Sequence, residues 1–344
     1  MRLSGVPGRL ALPALALAAI VVLLGATPST QVFAEPPAGT PAADPEGGSQ
    51  SLREQLEAAG RGYNDAKARL EVSQAHQIQL TEATHRVEAE LVRLDAEVDI
   101  LSVTAYKTGP MSGVVALLDS GSPQTLYERA RALDSRVRSN SRLLRELSQT
   151  TQTLAGKQAA LDAETTVERD QLAEMDKRRK AAESALAPVG GTSGTGPGGG
   201  TANANPAPRA PDGTWPRESC TLPDPTTSGC LTPRTLHALQ QARAAGFTHH
   251  TSCFTNGSWG EHPQGRACDF AAQANGFGGV ATGEDKAYGD RLAAWLIANT
   301  DRLGVLYVIW FRQIWMPGTG WRAYTSGNGT PAGDHTNHVH LSVQ

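Results

Sequence analysis

The chain has 344 residues, 39% hydrophobic and 19% charged, an ordinary composition for a soluble protein and a length that suggests about two domains. A net charge of −3 and a pI near 6.3, with no basic stripe, give no sign of a nucleic-acid partner.

Residues 1–34 read as a signal peptide. Arg2 and Arg9 form a basic start, Leu10 to Leu24 is almost wholly apolar, and Val32-Phe33-Ala34 offers small residues for cleavage after Ala34. A retained N-terminal anchor is the rival reading, disfavoured by Pro13 and the modest length of the apolar run. The mature chain is expected outside the cytoplasm, secreted or in the cell wall, without a stable membrane span. Residues 35–48 are rich in Pro, Ala and Gly and are expected to be disordered.

Residues 49–187 carry heptads. Leu56, Tyr63, Leu70, Gln77, Thr84, Leu91 and Val98 form one seam position, and Ala59, Ala66, Ser73, Leu80, Val87, Leu94 and Leu101 the other. At 1.5 Å per residue this first helix reaches roughly 70 Å. A second run places Leu126, Leu133, Asn140, Leu147, Leu154, Leu161 and Met175 on one seam, with Ala130, Val137, Leu144, Leu172 and Leu186 on its partner. Gly109-Pro110 breaks the first helix, and Ser122-Pro123 supplies an N-cap and a first-turn proline for the second. The expectation is an antiparallel coiled-coil hairpin. Its apolar tip, Met111 to Leu118, is either a docking surface for an envelope partner or a short helix capping the hairpin.

Residues 188–214 read as a Gly/Pro-rich linker, too poor in apolar groups to form a core. All six tryptophans lie at or beyond Trp215, so residues 215–344 are expected to form a globular domain. Thr232-Pro233 starts a helix ended by Gly246, and Asp285 to Thr300 forms another, with Leu292, Trp295 and Leu296 on one face. Val305 to Phe311 is a buried strand and His338 to Val343 a terminal one. Helices and strands segregate, so the fold class is an α+β C-terminal domain preceded by a long antiparallel α-helical coiled-coil hairpin. Cys220, Cys230, Cys253 and Cys268 all lie in this domain, and four cysteines in an exported chain read as two disulfides. Of three possible pairings, Cys220–Cys230 and Cys253–Cys268 are favoured because each closes a short loop.

Two segments point to a reaction: His262-Pro-Gln-Gly-Arg-Ala-Cys-Asp269 and His335-Thr-Asn-His338-Val-His340. Two histidines and one carboxylate can hold Zn²⁺ and leave a position for water, whose pKa the metal lowers towards ~7. On a strand His338 and His340 share a face, as do Ala267 and Asp269. The first segment resembles the first zinc motif of the LAS metallopeptidases (lysostaphin, D-alanyl-D-alanine carboxypeptidase and Sonic hedgehog types). The second resembles the ending of the penicillin-insensitive murein endopeptidases within that group. The stretch from Cys220 onward is similar to C-terminal domains of secreted actinobacterial proteins that often follow coiled coils. The hairpin itself resembles, more weakly, those preceding NlpC-type wall hydrolases.

The resemblance implies His262, Asp269 and His340 as zinc ligands. It implies His338 as the catalytic histidine beside the metal, with His335 belonging to the catalytic group behind it. It also implies a zinc peptidase cleaving an amide bond in the peptide part of peptidoglycan, of D,D-carboxypeptidase or endopeptidase class. Two positions depart from the pattern: Gly260 stands where a serine is usual, and Asn337 where many carboxypeptidase members place a carboxylate. Asparagine cannot act as a base, so that part falls to His338, with Asp334 as an outside candidate. Arg266 reads as a support for its loop, Trp310, Trp315 and Trp321 as core before substrate groove, and His249 and His250 as solvated. The alternatives to an enzyme are a non-catalytic module binding wall peptide, and a coiled-coil scaffold or activator for a partner hydrolase.

Overall fold

The computed structural model describes residues 49–344; the expected signal peptide (1–34) and the segment 35–48 lie outside the described residues. Two long helices, α1 (Gln50–Thr108) and α3 (Pro123–Leu186), pack antiparallel as a hairpin, with a short α2 (Ser112–Leu118) at the turn. Ser49 caps α1, Gly109 ends it with φ 73°, and Ser122 and Thr125 cap α3 reciprocally. Register is fixed by cross-helix pairs such as His76–Glu164 at 2.9 Å and Gln77–Glu168 at 3.0 Å. The buried α1 residues Leu56, Ala59, Ala66, Leu70, Ser73, Leu80, Thr84 and Leu94 are all heptad seam positions. Leu52, seven residues before Ala59, continues the seam, whereas Arg53, Gly60, Asn64 and Ala68 are buried although they lie off it.

After α3 come β1 (Gly190–Ser193), β2 (Leu222–Pro223), β3 (Cys230–Leu231), α4 (Pro233–Ala244), β4 (Thr251–Ser252), β5 (Ala267–Ala271), α5 (Gly283–Ala298), α6 (Thr300–Leu303), β6 (Val305–Trp310), β7 (Gln313–Met316), β8 (Gly320–Tyr324) and β9 (His338–Val343). Seven strands form one antiparallel sheet in the order β1-β8-β7-β6-β9-β5-β4, and β2 pairs with β3 apart from it. Thr232 caps α4.

The sheet is covered on both faces. Val339, Leu341, Phe270, Cys268 and Val308 meet Ala238, Leu239 and Ala242 of α4 and Leu292, Ala293 and Leu296 of α5. On the opposite face Tyr307, Ile309, Ile314, Met316 and Tyr324 meet Leu52, Leu56 and Ala59 of α1 and Ala182, Ala185 and Leu186 of α3. Most of the off-seam burial of α1 has its cause here: Arg53, Gly60 and Asn64 face the sheet. Asn64 donates to the Val305 carbonyl at 3.0 Å, and Gly60 lies so close that a Cβ would come within 2.8 Å of Leu306 Cδ1. The hairpin base therefore supplies half of one of the domain's two cores.

Residues 188–214, expected to be a linker, are instead an ordered strap. Gly190–Ser193 extends the sheet beside β8, Trp321 Nε1 donates to the Pro197 carbonyl at 2.9 Å, and Trp295 Nε1 to Asn203 Oδ1 at 2.7 Å. Ala204 and Ala207 are buried. Bulk comes from the tryptophans on the domain, so the strap needs only small residues and backbone hydrogen bonds. At Gly200 a Cβ would sit 2.1 Å from the Ala294 carbonyl oxygen.

Candidate metal centre

Strands β5 and β9 pair with Asp269 opposite His340 and Ala271 opposite His338. Side chains alternate along a strand, so Val339, Leu341, Cys268 and Phe270 fill the helix-covered core while Asp269, His338 and His340 project from the other face. That is the face on which the hairpin base packs.

His262 reaches the same point from the loop before β5. This loop is a tight turn in which the Gly265 amide donates to the His262 carbonyl at 2.9 Å. Gly265 has φ 67°, and a Cβ there would fall 2.3 Å from Cys220 Sγ, so only glycine fits. Gly260, the departure before the first histidine, has φ 93°, a conformation that serine would adopt only with strain. Both disulfides form with the favoured pairing, Cys220–Cys230 and Cys253–Cys268. The first backs the turn; the second joins Cys253 to the residue preceding Asp269.

The donor atoms of His262, Asp269 and His340 lie within 4.8 Å of one another, a group able to hold a metal ion. His262 Nε2 is 3.3 Å from both His340 Nδ1 and Asp269 Oδ1, and His340 Nδ1 is 2.9 Å from Asp269 Oδ1. In each histidine the other ring nitrogen is already engaged. His262 Nδ1 donates to the Cys253 carbonyl, and His340 Nε2 lies 2.8 Å from Ser342 Oγ. A carbonyl only accepts, so His262 carries its hydrogen on Nδ1 and turns the Nε2 lone pair inward.

His338 follows the same logic. Asn337 Nδ2 donates to the Gly278 carbonyl at 2.8 Å, which fixes the amide orientation and leaves Asn337 Oδ1 as acceptor for His338 Nδ1–H, also at 2.8 Å. His338 Nε2 thus presents its lone pair, 3.4 Å from Asp269 Oδ1. Asn337 thus orients the histidine beside it. Phe277, partly exposed, stands edge-on to the His338 ring.

His262, His338 and His340 are buried, while the Asp269 side chain keeps 20% exposure. Burial works against the Asp269 charge, but the imidazoles of His262, His338 and His340 gathered around it hold its carboxyl well below the usual range. His335 lies behind, its ring 4.9 Å from that of His338 and 5.8 Å from that of His340. Burial first, and then His338 and His340, push its pKa well below an ordinary imidazole, so it is neutral at pH 7.

Asp334 accepts from Arg312 Nε at 2.7 Å and from the Gly329 amide at 3.1 Å, so it ties a loop together. Trp310 is buried in the core, its Nε1 donating to Asp290 Oδ1, and Trp315 and Trp321 pack partly buried against the same core. His249, expected to be solvated, stacks on Tyr288 at 3.5 Å, whereas His250 is exposed. Sequence reading did not single out Ser342, the Cys253 carbonyl, Glu261 or Tyr307. Ser342 alone carried a signal, being two residues from His340 and so on the same strand face.

A family model described as VldE, C-terminal domain, matches residues 227–339, about a third of the chain, including His262, Asp269 and His338 and ending one residue before His340. No curated protein and no solved structure matches the chain.

Proposed function

We propose that the chain is a secreted zinc-dependent peptidase that hydrolyses an amide bond in the peptide part of peptidoglycan. One observation carries the reading: two imidazole nitrogens and a carboxylate oxygen converge, with the far side of each imidazole already hydrogen-bonded. Tetrahedral zinc with bonds near 2.0–2.1 Å separates neighbouring donors by roughly 3.3 Å. The donor distances of 2.9 to 3.3 Å fit that spacing. His262, Asp269 and His340 would hold the ion and leave a position open. When bound, zinc supplies a Lewis acid and brings the pKa of water towards ~7.

The chain's own residues supply the proton traffic. His338 has Nδ1–H committed to Asn337, so Nε2 is the atom that takes a proton from water and returns it to the leaving amine. His335 lies buried behind His338 and His340 and backs both rings. Asp334 is held by Arg312 and Gly329 and takes no part. The resemblance of both histidine segments to LAS metallopeptidases supports the substrate class. Two disulfides, and the lack among the described residues of a helix able to cross a membrane, support an extracellular or wall location. The hairpin tip, with Tyr106, Val115, Leu118 and Tyr127 exposed, would dock an envelope partner and position the enzyme on the wall.

The test is a muropeptide digest by the full chain, with zinc or with chelator, read by mass spectrometry. A product heavier by one water and abolished by chelation is expected, and its mass identifies the bond. His262→Ala and Asp269→Ala should lose both metal and hydrolysis, whereas His338→Ala should keep metal and lose hydrolysis. Hydrolysis that survives in His338→Ala removes its role, and uptake of peptide without any product makes the domain a non-catalytic binder of wall peptide.

A further inference from the structure

The two ligand-bearing segments are each braced by a residue of the hairpin, and the two braces stand one turn apart on α1. Arg53, 5% exposed, holds its guanidinium 5.4 Å from the centroid of the Tyr307 ring. Tyr307 in turn lies nearly parallel to the His340 imidazole, at 5.6 Å between centroids and 14° between planes. Four residues on, Glu57 receives Arg266 Nη1 at 2.9 Å, while Arg266 Nε donates at 2.6 Å to Glu261, the residue immediately before His262. The Arg266 amide also donates to the Glu261 carbonyl at 3.0 Å, which closes the turn that aims His262. Residues at i and i+4 share a helix face, so one patch of α1 reaches both halves of the ligand group.

We propose that Arg53 and Glu57 are positioning residues for the metal-ligand group, so that the hairpin base sets how tightly the site holds its ion. This rests on the metal reading above. Partners behind metal ligands affect affinity because they fix ligand orientation before the ion arrives, and losing one typically costs about 10–100-fold. A guanidinium on an aromatic face also holds that ring in place. On this basis a displacement of α1 along the sheet would reach His262 through Arg266 and His340 through Tyr307 together.

The experiment measures zinc affinity of the full chain by competition with a chromophoric chelator, together with the visible absorption of the cobalt-loaded protein. Glu57→Gln and Arg53→Met should each weaken zinc about tenfold and alter the cobalt spectrum. Arg53→Lys, which keeps the charge but loses the planar group, should recover only part of the loss. Leu56→Ala is the control: it lies between them on α1 and is wholly buried in the same apolar cluster as Tyr307, but it offers neither charge nor hydrogen bond to a ligand segment. It should lower the melting temperature more than either variant yet leave zinc affinity within about twofold. Unchanged affinity in Glu57→Gln and Arg53→Met, or an equal loss in Leu56→Ala, overturns the positioning role while leaving the metal site standing. A wild-type chain that takes up no zinc overturns both.

Discussion

The two ends of the hairpin obey one heptad pattern and meet different fates. Near the base, Leu52, Leu56, Ala59, Ala182, Ala185 and Leu186 are buried against the sheet. Towards the tip, seam residues of α3 stay half-exposed, Val137 at 55% and Leu144 at 50%, and none of the α2 residues is buried. Two helices alone enclose their seam only in places, as at Leu94; a third surface buries it more fully, and that surface is the sheet at the base. Periodicity thus identifies the face that packs but not the depth of its burial.

The sharpest way to break this comparison is to remove each end. A fragment of residues 188–344 exposes Tyr307, Ile309, Ile314, Met316 and Tyr324, an apolar face that the hairpin now covers. It should aggregate or lose cooperative unfolding in a thermal melt. Replacing residues 85–155 by a short turn, in the register fixed by His76 and Glu164, should leave melting and zinc affinity nearly unchanged. A stable 188–344 fragment would show the base to be as dispensable as the tip.

Single leucines sharpen the contrast. Leu56→Ala, at zero exposure, should cost about 3 kcal/mol in denaturant unfolding, within the range for buried leucines. Leu144→Ala, half-exposed, should cost less than about 1 kcal/mol.

The same difference marks what could be read from the sequence. The α1 seam, the caps at Ser122 and Thr232, the terminal strand and both disulfides were legible because each depends on local spacing. Strand alternation made legible the face shared by His338 and His340, whereas the grouping of His262, Asp269 and His340 came from the resemblance to LAS metallopeptidases, since His262 lies on a loop. Arg53 and Glu57 were not legible: off-seam polar residues look like any solvated helix face until a sheet is placed against them. The strap at 190–207 was missed because its bulk comes from Trp295 and Trp321, distant in sequence. Asn337 looked like a loss of function, and only the Gly278 carbonyl reveals which way its amide points.

Glycines offer a subtler test, one at the base and one midway along the hairpin, away from the sheet. Gly60→Ala gains helix propensity of about 1 kcal/mol but presses a methyl onto Leu306, which is fully enclosed, and overpacking of about 1–3 kcal/mol outweighs the gain. At Gly156 an added methyl would meet nothing within 4 Å, so Gly156→Ala should stabilise by about 1 kcal/mol. Opposite signs in parallel urea titrations would uphold the comparison; equal signs would not.

The smallest expected effect is electrostatic. Burial raises the Glu57 carboxyl, but Arg266 and Arg61 outweigh it and hold its pKa below the ordinary value. A carboxyl depressed in the folded state contributes stability that is present above its unfolded pKa, near 4.3, and is lost as pH falls through the lower folded value. Glu57→Gln should therefore melt below wild type at neutral pH, and the two curves should converge only once the pH falls below the depressed folded pKa, where wild-type Glu57 is protonated as well. Glu90, towards the tip, is also paired with an arginine, at 2.5 Å, but both partners lie in solvent. Water and salt screen that pair, so Glu90→Gln should shift neither the melt nor its pH dependence. A pH-dependent gap of similar size at both positions would mean that enclosure by the sheet adds nothing to the base.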